Sequence, residues 1–265
     1  MPYKGQDTAK LPSVKVWGQF PLKNALARIG GEADLGNDLG GSIAATASGA
    51  DLGSAPPSSI RYLESAAGDL DTDRTDGHPA LLWTPADHEN VIIGPNFNFD
   101  LGAGRPWAFE CRIKQTTAAD HGFVAGIVSV NSAADATYDV YAVNTVMNAT
   151  SALVTNRSMI GFYKDEGAAT VDAITKDRGT ADGSETDVLA SAHTLADVTY
   201  VKLGMFSDGS IIRFFVDNTE KASHNMSGAG LPSDTFNGNM APMICYNAST
   251  TSTVFVQWVA GGYLV

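Results

Sequence analysis

Asp197-Val-Thr-Tyr-Val-Lys-Leu-Gly-Met-Phe206, then Ser207-Asp-Gly-Ser210 and Ile211-Ile-Arg-Phe-Phe-Val-Asp217, is the stretch that decides the predicted fold. Two runs rich in β-branched and aromatic residues flank a four-residue turn with Asp208-Gly209, a strong local signal for a β-hairpin. Apolar positions alternate with mixed ones along both runs, so one face is apolar. The apolar positions are Val201, Leu203, Met205, Ile212, Phe214 and Val216. The pattern predicts two antiparallel strands with one face on a core.

Short strand-like runs continue along the chain from residue 59 onward, separated by Gly, Pro, Asn and Asp. This arrangement is typical of an all-β sandwich. We read the polar stretch from Gly179 to Ser191 as a long exposed loop, and we predict no helix longer than two turns. The predicted strands are Ile60–Glu64, Ala80–Trp83, Val91–Gly94, Trp107–Gln115, Phe123–Val130, Tyr138–Val143, Met159–Lys164, Thr170–Lys176, Val198–Phe206, Ile211–Val216, Pro242–Asn247 and Thr253–Val259.

Three segments resemble one fold family. The hairpin, the run Pro106-Trp-Ala-Phe-Glu-Cys-Arg-Ile-Lys114 and the run Val254-Phe-Val-Gln-Trp-Val-Ala260 are similar to core strands of concanavalin A-like (laminin G-like) jelly rolls. Asn218 stands where that family usually has Gly. The resemblance implies a two-sheet antiparallel jelly-roll sandwich, which we assign to residues 59–265. It says little about function, since one fold hosts many functions.

Composition narrows the classes of partner. The chain has 265 residues, 44% of them hydrophobic and 17% charged, and a net charge of −12. This acidic balance argues against nucleic-acid binding, which needs a basic surface. No apolar stretch approaches the length of a membrane span. The first residues lack the apolar run of a signal peptide, so we expect synthesis in a host cytoplasm without export.

Residues 1–58 differ from the remainder and are predicted to form an extended N-terminal arm. The low-complexity stretch from Gly30 to Pro57 cannot bury enough surface to fold alone. Five cations against Asp7 give residues 1–28 a net charge of +4, which leaves −16 for the rest. We expect this arm to make assembly contacts with partner chains. The cations proposed to bind the partner are Lys4, Lys10, Lys15, Lys23 and Arg28.

An acidic jelly roll with a basic arm resembles the head decoration (cement) proteins of tailed bacteriophages. That resemblance implies a structural virion protein on the head surface, bound to the major capsid protein as a closed homo-oligomer, most simply a trimer. The alternative is a carbohydrate-binding module of a phage adhesin or bacterial surface protein, with a glycan as the partner. A hydrolase with an unrecognised site is a third interpretation.

Retaining glucanases of this fold resemble one another in a Glu-x-Asp-x-x-Glu strand motif, which sets two carboxylates about 5 Å apart. The partial match here is Glu185-Thr-Asp187-Val-Leu-Ala190, which lacks the last acid. The histidines stand in turn-like contexts, and we expect surface imidazoles. These are His78, His88, His121, His193 and His224. We therefore predict that the protein is not an enzyme.

A run of carboxylates is the weak candidate for a metal site. Asp69, Asp71, Asp73 and Asp76 could converge on Ca²⁺, although Arg74 and Ala80 break the pattern of a twelve-residue calcium loop. A solvated acidic loop without a cofactor is the preferred interpretation. Cys111 and Cys245 are predicted to be buried thiols, with a disulfide as the alternative. Strand aromatics are expected in the core more often than on a sugar-stacking surface. They are Trp83, Trp107, Phe109, Phe214, Phe215 and Trp258.

Overall fold

The computed structural model describes the following residues of the chain: 32–33, 60–64, 70–73, 80–84, 90–95, 99–100, 106–129, 146–148, 150–179, 186–226, 239–247 and 252–263. Regular structure within these ranges consists of β-strands alone, which form two antiparallel sheets. The predicted all-β sandwich is therefore confirmed. Nowhere in these ranges does a helix have the length and apolarity that crossing a membrane requires.

The first sheet, sheet A, contains the predicted hairpin next to one of its edge strands. Its strands follow the order β14-β13-β12-β7-β16-β4-β3, and the short strand β1 also pairs with β16. The strands are β1 (Glu32–Ala33), β3 (Leu70–Asp73), β4 (Ala80–Trp83), β7 (Trp107–Gln115), β12 (Val201–Ser207), β13 (Ile211–Val216), β14 (Thr219–Asn225) and β16 (Val254–Tyr263).

The second sheet, sheet B, follows the order β11-β10-β9-β8-β15-β5-β2, and β6 pairs with β15. The strands are β2 (Ile60–Glu64), β5 (Asn90–Pro95), β6 (Phe99–Asp100), β8 (Gly122–Ser129), β9 (Met159–Lys164), β10 (Thr170–Lys176), β11 (Thr186–Thr194) and β15 (Asn239–Asn247).

The predicted hairpin is present with the predicted turn. Strands β12 and β13 pair antiparallel from Leu203 opposite Val216 to Ser207 opposite Ile212. The Asp208 carboxylate accepts hydrogen bonds from the backbone N–H groups of Ser210 and Ile211 at 2.8 and 2.9 Å. Gly209 adopts φ 93°, a left-handed conformation that costs glycine little. These bonds to the charged form outweigh partial burial and lower the pKa of Asp208.

The main core lies between the sheets and is built by strict alternation. Trp107, Phe109, Cys111 and Ile113 of β7 all point into it. Phe214 of sheet A meets Phe162 of sheet B edge-on, with ring centroids 5.6 Å apart. The two sheets are thus joined by interdigitated apolar side chains, as in other sandwiches.

A second apolar cluster covers the outer face of sheet B. Val124, Met159 and Met243 lie in it, together with Val146, Met147 and Leu153 from the segment before β9. Met147 and Leu153 form an isolated β-bridge with each other, and this segment, described at residues 146–148 and 150–154, packs on the sheet. We call it the strap. Strands β8, β9 and β15 are therefore buried on both faces, which explains their nearly continuous apolar sequences.

The two thiols belong to different clusters. Cys111 packs in the main core and Cys245 in the cluster under the strap. Both are buried and neither forms a disulfide. The prediction of two buried free thiols is therefore confirmed. Burial also raises the pKa of Cys245 to about 12.

Polar edge strands are where the sequence-based prediction fails. The stretch predicted as a loop from Gly179 to Ser191 overlaps β11, whose exposed residues pair with β10. Strand β14 was also missed because its sequence, Thr-Glu-Lys-Ala-Ser-His-Asn, has little β-propensity. Pairing with a neighbouring strand overrides local propensity at both edges. The predicted strand Tyr138–Val143 lies outside the described residues.

The predicted arm is described at one place. Glu32–Ala33 pairs with β16 of the same chain, Glu32 opposite Ala260 and Ala33 opposite Val259. The remaining residues of 1–58 lie outside the described ranges. The division into an arm of residues 1–58 and a domain of residues 59–265 stays a prediction.

Candidate functional site

The outer face of sheet A has the richest chemistry among the described residues. Because inward positions of β7 are apolar, its alternate residues Glu110, Arg112 and Lys114 point outward. Lys202 of β12 and Phe255 of β16 lie on the same face, across from β7 in the pairing register. We call this surface the charged–aromatic face. Its members are Glu110, Arg112, Lys114, Tyr200, Lys202, Phe255 and Gln257.

Aromatic rings hold two of the cations in place. The Lys114 ammonium lies 4.0 Å from the centroid of the Phe255 ring and 4.6 Å from that of Tyr200. The Arg112 guanidinium lies 4.5 Å from the Tyr200 centroid, and it donates a hydrogen bond to the Gln257 amide oxygen. Cation–π contacts of this kind contribute about 0.5–2 kcal/mol, with the upper end for desolvated groups. Arg112 and Lys114 are therefore fixed in orientation.

A carboxylate completes this face. The Lys202 ammonium lies 3.4 Å from the Glu110 carboxylate, whose side chain is fully buried. The next residue, Cys111, points into the core. Burial, and to a smaller extent the Glu110 charge, raise the pKa of Cys111 well above its usual range. Arg112, Lys114 and Lys202 therefore lie on the same face as the Glu110 carboxylate, although the protein as a whole has a net charge of −12. Tyr200, Phe255 and Arg112 are half-buried, whereas Glu110, Lys114 and Gln257 are at most 6% exposed.

A second polar region lies where β7 and β9 end and β8 begins. The Lys164 ammonium is buried and donates to the backbone carbonyls of Ala119, His121 and Asp165. Loss of water lowers the pKa of Lys164 to about 8, although nearby carboxylates oppose that change. Since all three acceptors are backbone carbonyls, Lys164 ties the two turns together.

His121 is buried, and the prediction that it is a surface imidazole is wrong. Its Nε2 atom lies 2.8 Å from the Ser252 carbonyl and 2.7 Å from the Ser252 hydroxyl. A carbonyl only accepts, so Nε2 carries the hydrogen and Nδ1 is the acceptor in the neutral ring. Burial lowers the pKa of His121. The reason for its burial is tertiary: Ser252, which is remote in sequence, lies against its ring. His193 and His224 are half-buried, whereas His78 and His88 lie outside the described residues.

Ser151 anchors the strap to this region. Its backbone has φ 61°, a left-handed conformation that is uncommon for a residue with a side chain. Its hydroxyl lies 2.9 Å from the Glu166 carboxylate and 3.0 Å from the Asn247 amide oxygen. The Asn247 amide nitrogen in turn donates to the Asn148 carbonyl at 2.8 Å. These bonds satisfy polar groups that would otherwise be costly to bury.

The predicted site residues are not brought together by the described structure. The five arm cations, and Asp69 and Asp76, lie outside the described residues. Asp71 and Asp73 belong to β3, which pairs with β4, so the interpretation of this run as a loop is wrong at these residues. Within the described ranges, no cluster of three or more His, Cys, Asp or Glu side chains is placed to hold a metal ion. The Ca²⁺ alternative stays a prediction.

The partial glucanase motif lies at an edge of the molecule. Glu185 is outside the described residues, and Asp187 and Ala190 are exposed on edge strand β11. Partial desolvation and the neighbouring Asp172 charge raise the pKa of Asp187. No second carboxylate of the motif exists at Ala190.

Sequence reasoning missed the charged–aromatic face as a site. Trp83, Trp107, Phe109 and Phe214 are in the core as predicted. Phe215 is also buried, but it lies outside both apolar clusters. The side chain of Trp258 is outside the described set. Period-two alternation around Cys111 already places Glu110, Arg112 and Lys114 together on the opposite face, so that signal was present.

Comparisons with known proteins support the fold. No protein-family model and no curated protein sequence matches the chain. A solved structure from work on endo-acting O-glycanases of the human gut microbiota, which initiate mucin breakdown, has a TM-score of 0.53 at 10% identity. The match covers 86% of this chain and 98% of that one. The metal-free carbohydrate recognition domain of Emp46p has a TM-score of 0.50 at 10% identity, covering 77% and 88%.

A conserved carbohydrate esterase of the Shiga toxin-encoding bacteriophage phi24B also matches, with a TM-score of 0.48 at 10% identity over 77% of this chain and 90% of that one. The chain has the concanavalin A-like jelly-roll fold, as its resemblance implied.

The prediction that the protein is not an enzyme is wrong. A chain from the O-glycanase work has this fold along nearly all of its length. The missing acid at Ala190 excludes one strand motif, and a site can be assembled from other strands.

Proposed function

We propose that this protein binds glycans, and specifically anionic glycans, at the charged–aromatic face of sheet A. The observation that carries the proposal is the fixed row of Arg112, Lys114 and Lys202 next to Tyr200 and Phe255. Small-ligand sites combine aromatic surface with a few placed polar groups, which is the composition found here. Two proteins of the same fold are described as a carbohydrate recognition domain and as endo-acting O-glycanases.

Charge selects the class of glycan. The protein as a whole repels anions, with a net charge of −12. Among the described residues, Arg112, Lys114 and Lys202 outnumber the nearby carboxylates of Glu110 and of Asp217, which accepts from the Lys202 backbone N–H. Local attraction of an anion therefore opposes the overall repulsion. A carboxylate or sulfate group on a sugar can accept charge-assisted hydrogen bonds from guanidinium and ammonium groups, which are stronger than bonds between neutral groups.

Preorganisation favours binding on this face. Arg112 and Lys114 are long side chains that usually lose rotamer freedom when they bind a ligand. Here the Tyr200 and Phe255 rings and the Gln257 amide already restrict them. A ligand therefore meets cations whose ordering cost is already met by folding.

A glycan array that includes sialylated, uronate-containing, sulfated and neutral glycans tests the proposal. Binding to anionic glycans supports it, and titration calorimetry with a bound glycan gives the affinity. Lys202→Ala should weaken that affinity by about tenfold, since charge-assisted bonds contribute about 1.5–3 kcal/mol. The matched control is Lys221→Ala, an exposed lysine on edge strand β14.

Two outcomes contradict the proposal: no binding to any anionic glycan, or equal losses from Lys202→Ala and Lys221→Ala. The bound glycan is also incubated with the protein and analysed for released sugars. That measurement separates a binding domain from an enzyme.

The decoration role on a phage head stays a prediction that depends on residues 1–58. Deleting residues 1–28 should leave a folded sandwich that no longer occupies phage heads, whereas undiminished occupancy would refute the role of the arm. Binding through Lys4, Lys10, Lys15, Lys23 and Arg28 should also weaken as salt screens their charges.

A further inference from the structure

Four buried residues leave polar atoms without a hydrogen-bond partner at one end of the main core. They are Trp83 through Nε1, Gln115 through its amide, His121 through Nδ1 and Tyr246 through its hydroxyl. Each is no more than 3% exposed. Leaving such groups unpaired in the interior costs about 1–3 kcal/mol each. We call these residues the interior polar cluster.

The members come from both sheets and lie close together. The Trp83 ring centroid is 6.1 Å from that of His121 and 6.4 Å from that of Tyr246. In sheet A, Gln115 of β7 and Trp83 of β4 both pair with Val254 of β16, one on each side of that strand. Burial raises the pKa of Tyr246 far above its usual range, and the nearby Gln115 amide opposes that change as a hydrogen-bonding group would. The two side chains are therefore close, but they do not adopt the geometry of a direct hydrogen bond.

The chemistry of the cluster identifies its ligand. The Trp83 indole only donates, whereas His121 Nδ1 only accepts because Nε2 donates to Ser252. The amide and the phenol both donate and accept. An anion would be repelled by the Nδ1 lone pair, and a cation would meet the indole N–H. A neutral molecule that donates and accepts at once satisfies the whole set.

We propose that the interior polar cluster is a binding site for ordered water, which joins Trp83 and Gln115 of sheet A to His121 and Tyr246 at the end of sheet B. Buried waters typically make about three hydrogen bonds to polar groups that lack other partners, which is what these four residues offer. The water replaces apolar contact at this end of the core. The Ser252–His121 hydrogen bond lies beside it.

Two direct measurements on the full chain test the proposal. A high-resolution crystal structure should show water about 2.7–3.2 Å from at least two of the four polar atoms. In solution, the assigned Trp83 indole N–H should show a nuclear Overhauser effect to long-lived water. Direct bonds among the four side chains without water density would overturn the proposal, as would the absence of that effect. The control Tyr163→Phe removes a hydroxyl that already bonds to protein groups, and it should leave the Trp83 signal unchanged.

Variants separate water from a direct Gln115–Tyr246 bond. Tyr246→Phe should raise the unfolding equilibrium constant about tenfold, because water then loses a partner. The same rise should persist when Gln115→Met is already present. Tyr246→Phe that is as stable as the unsubstituted protein, or whose effect vanishes beside Gln115→Met, would contradict the proposal.

Discussion

The outer faces of the two sheets differ in what they present and in what packs on them. Sheet B presents apolar side chains such as Met243 and Val124, and the strap packs on them. Sheet A presents Glu110, Arg112 and Lys202, which are held by ion pairing and aromatic rings. The inner faces of both sheets are alike and share one core.

This difference separates stability from recognition. An apolar outer face must be covered, so its residues contribute to folding and are removed from ligands. A charged face gains little stability per ion pair, because desolvation offsets the Coulomb attraction. The central strands of sheet B are thus packed on both faces, and sheet A carries the candidate site.

The largest expected effect tests the shared core. Phe214→Ala and Phe162→Ala should each lower the free energy of unfolding by about 3–5 kcal/mol, because both buried rings leave cavities. Chemical denaturation of each variant measures the loss. A loss below about 1 kcal/mol for either variant would place that ring outside the core, and the two inner faces would then not contribute equally to stability.

The second prediction compares the outer faces directly. Met243→Ala, under the strap, should cost about 2–4 kcal/mol, as is usual for a buried methionine. Phe255→Ala, on the half-buried face of sheet A, should cost about 1–2 kcal/mol since less apolar area is lost. Denaturant midpoints of the two variants give the comparison. Equal costs would mean that both faces are equally covered.

The third prediction concerns buried charge in sheet B. The pKa of Lys164 is about 8 in the folded protein against an ordinary value of 10.5. Between these two pH values the unfolded chain binds more protons at Lys164 than the folded protein does. The contribution of Lys164 to the free energy of unfolding therefore rises as pH increases from 8 to 10.5. The full change is on the order of 3 kcal/mol.

Unfolding measured between pH 8 and 10.5 checks this effect. Cys111, Cys245 and Tyr246, whose pKa values burial raises, contribute the opposite slope in this window, so the effect is measured as a difference between proteins. Lys164→Met should shift the slope of stability against pH downward, whereas Lys202→Met on sheet A should leave it unchanged. An unchanged slope in Lys164→Met would show that Lys164 keeps its ordinary pKa in the fold.

The smallest predicted effect is a gain at the entrance to β12. Val198 has φ 55° although it is β-branched, and its side chain is 63% exposed. Val198→Gly should raise stability by about 1 kcal/mol, because strain is relieved and little packing is lost. Thermal unfolding measures it. A decrease in stability would mean that the exposed side chain contributes more than the strain costs.

Local patterns predicted much of the sandwich and little of its chemistry. The hairpin through Asp208-Gly209 and the bounds of Trp107–Gln115 and Met159–Lys164 follow from alternation and turn residues. Strand β14 could not be predicted, since its polar residues are strand-like only when paired with β13. The burial of His121 depends on Ser252, which is remote in sequence.

The sequence by itself determined the all-β class, the inward face of each central strand and the burial of both thiols, because period-two alternation is a property of neighbouring residues. The tertiary structure alone decided which strands share a sheet, and therefore which side chains meet. Glu110 finds Lys202, Lys114 finds Phe255 and Trp83 finds His121 only through pairing and packing between distant segments. Ion pairs, cation–π contacts and buried polar clusters depend on distances of a few ångströms, which the order of residues along a chain does not fix.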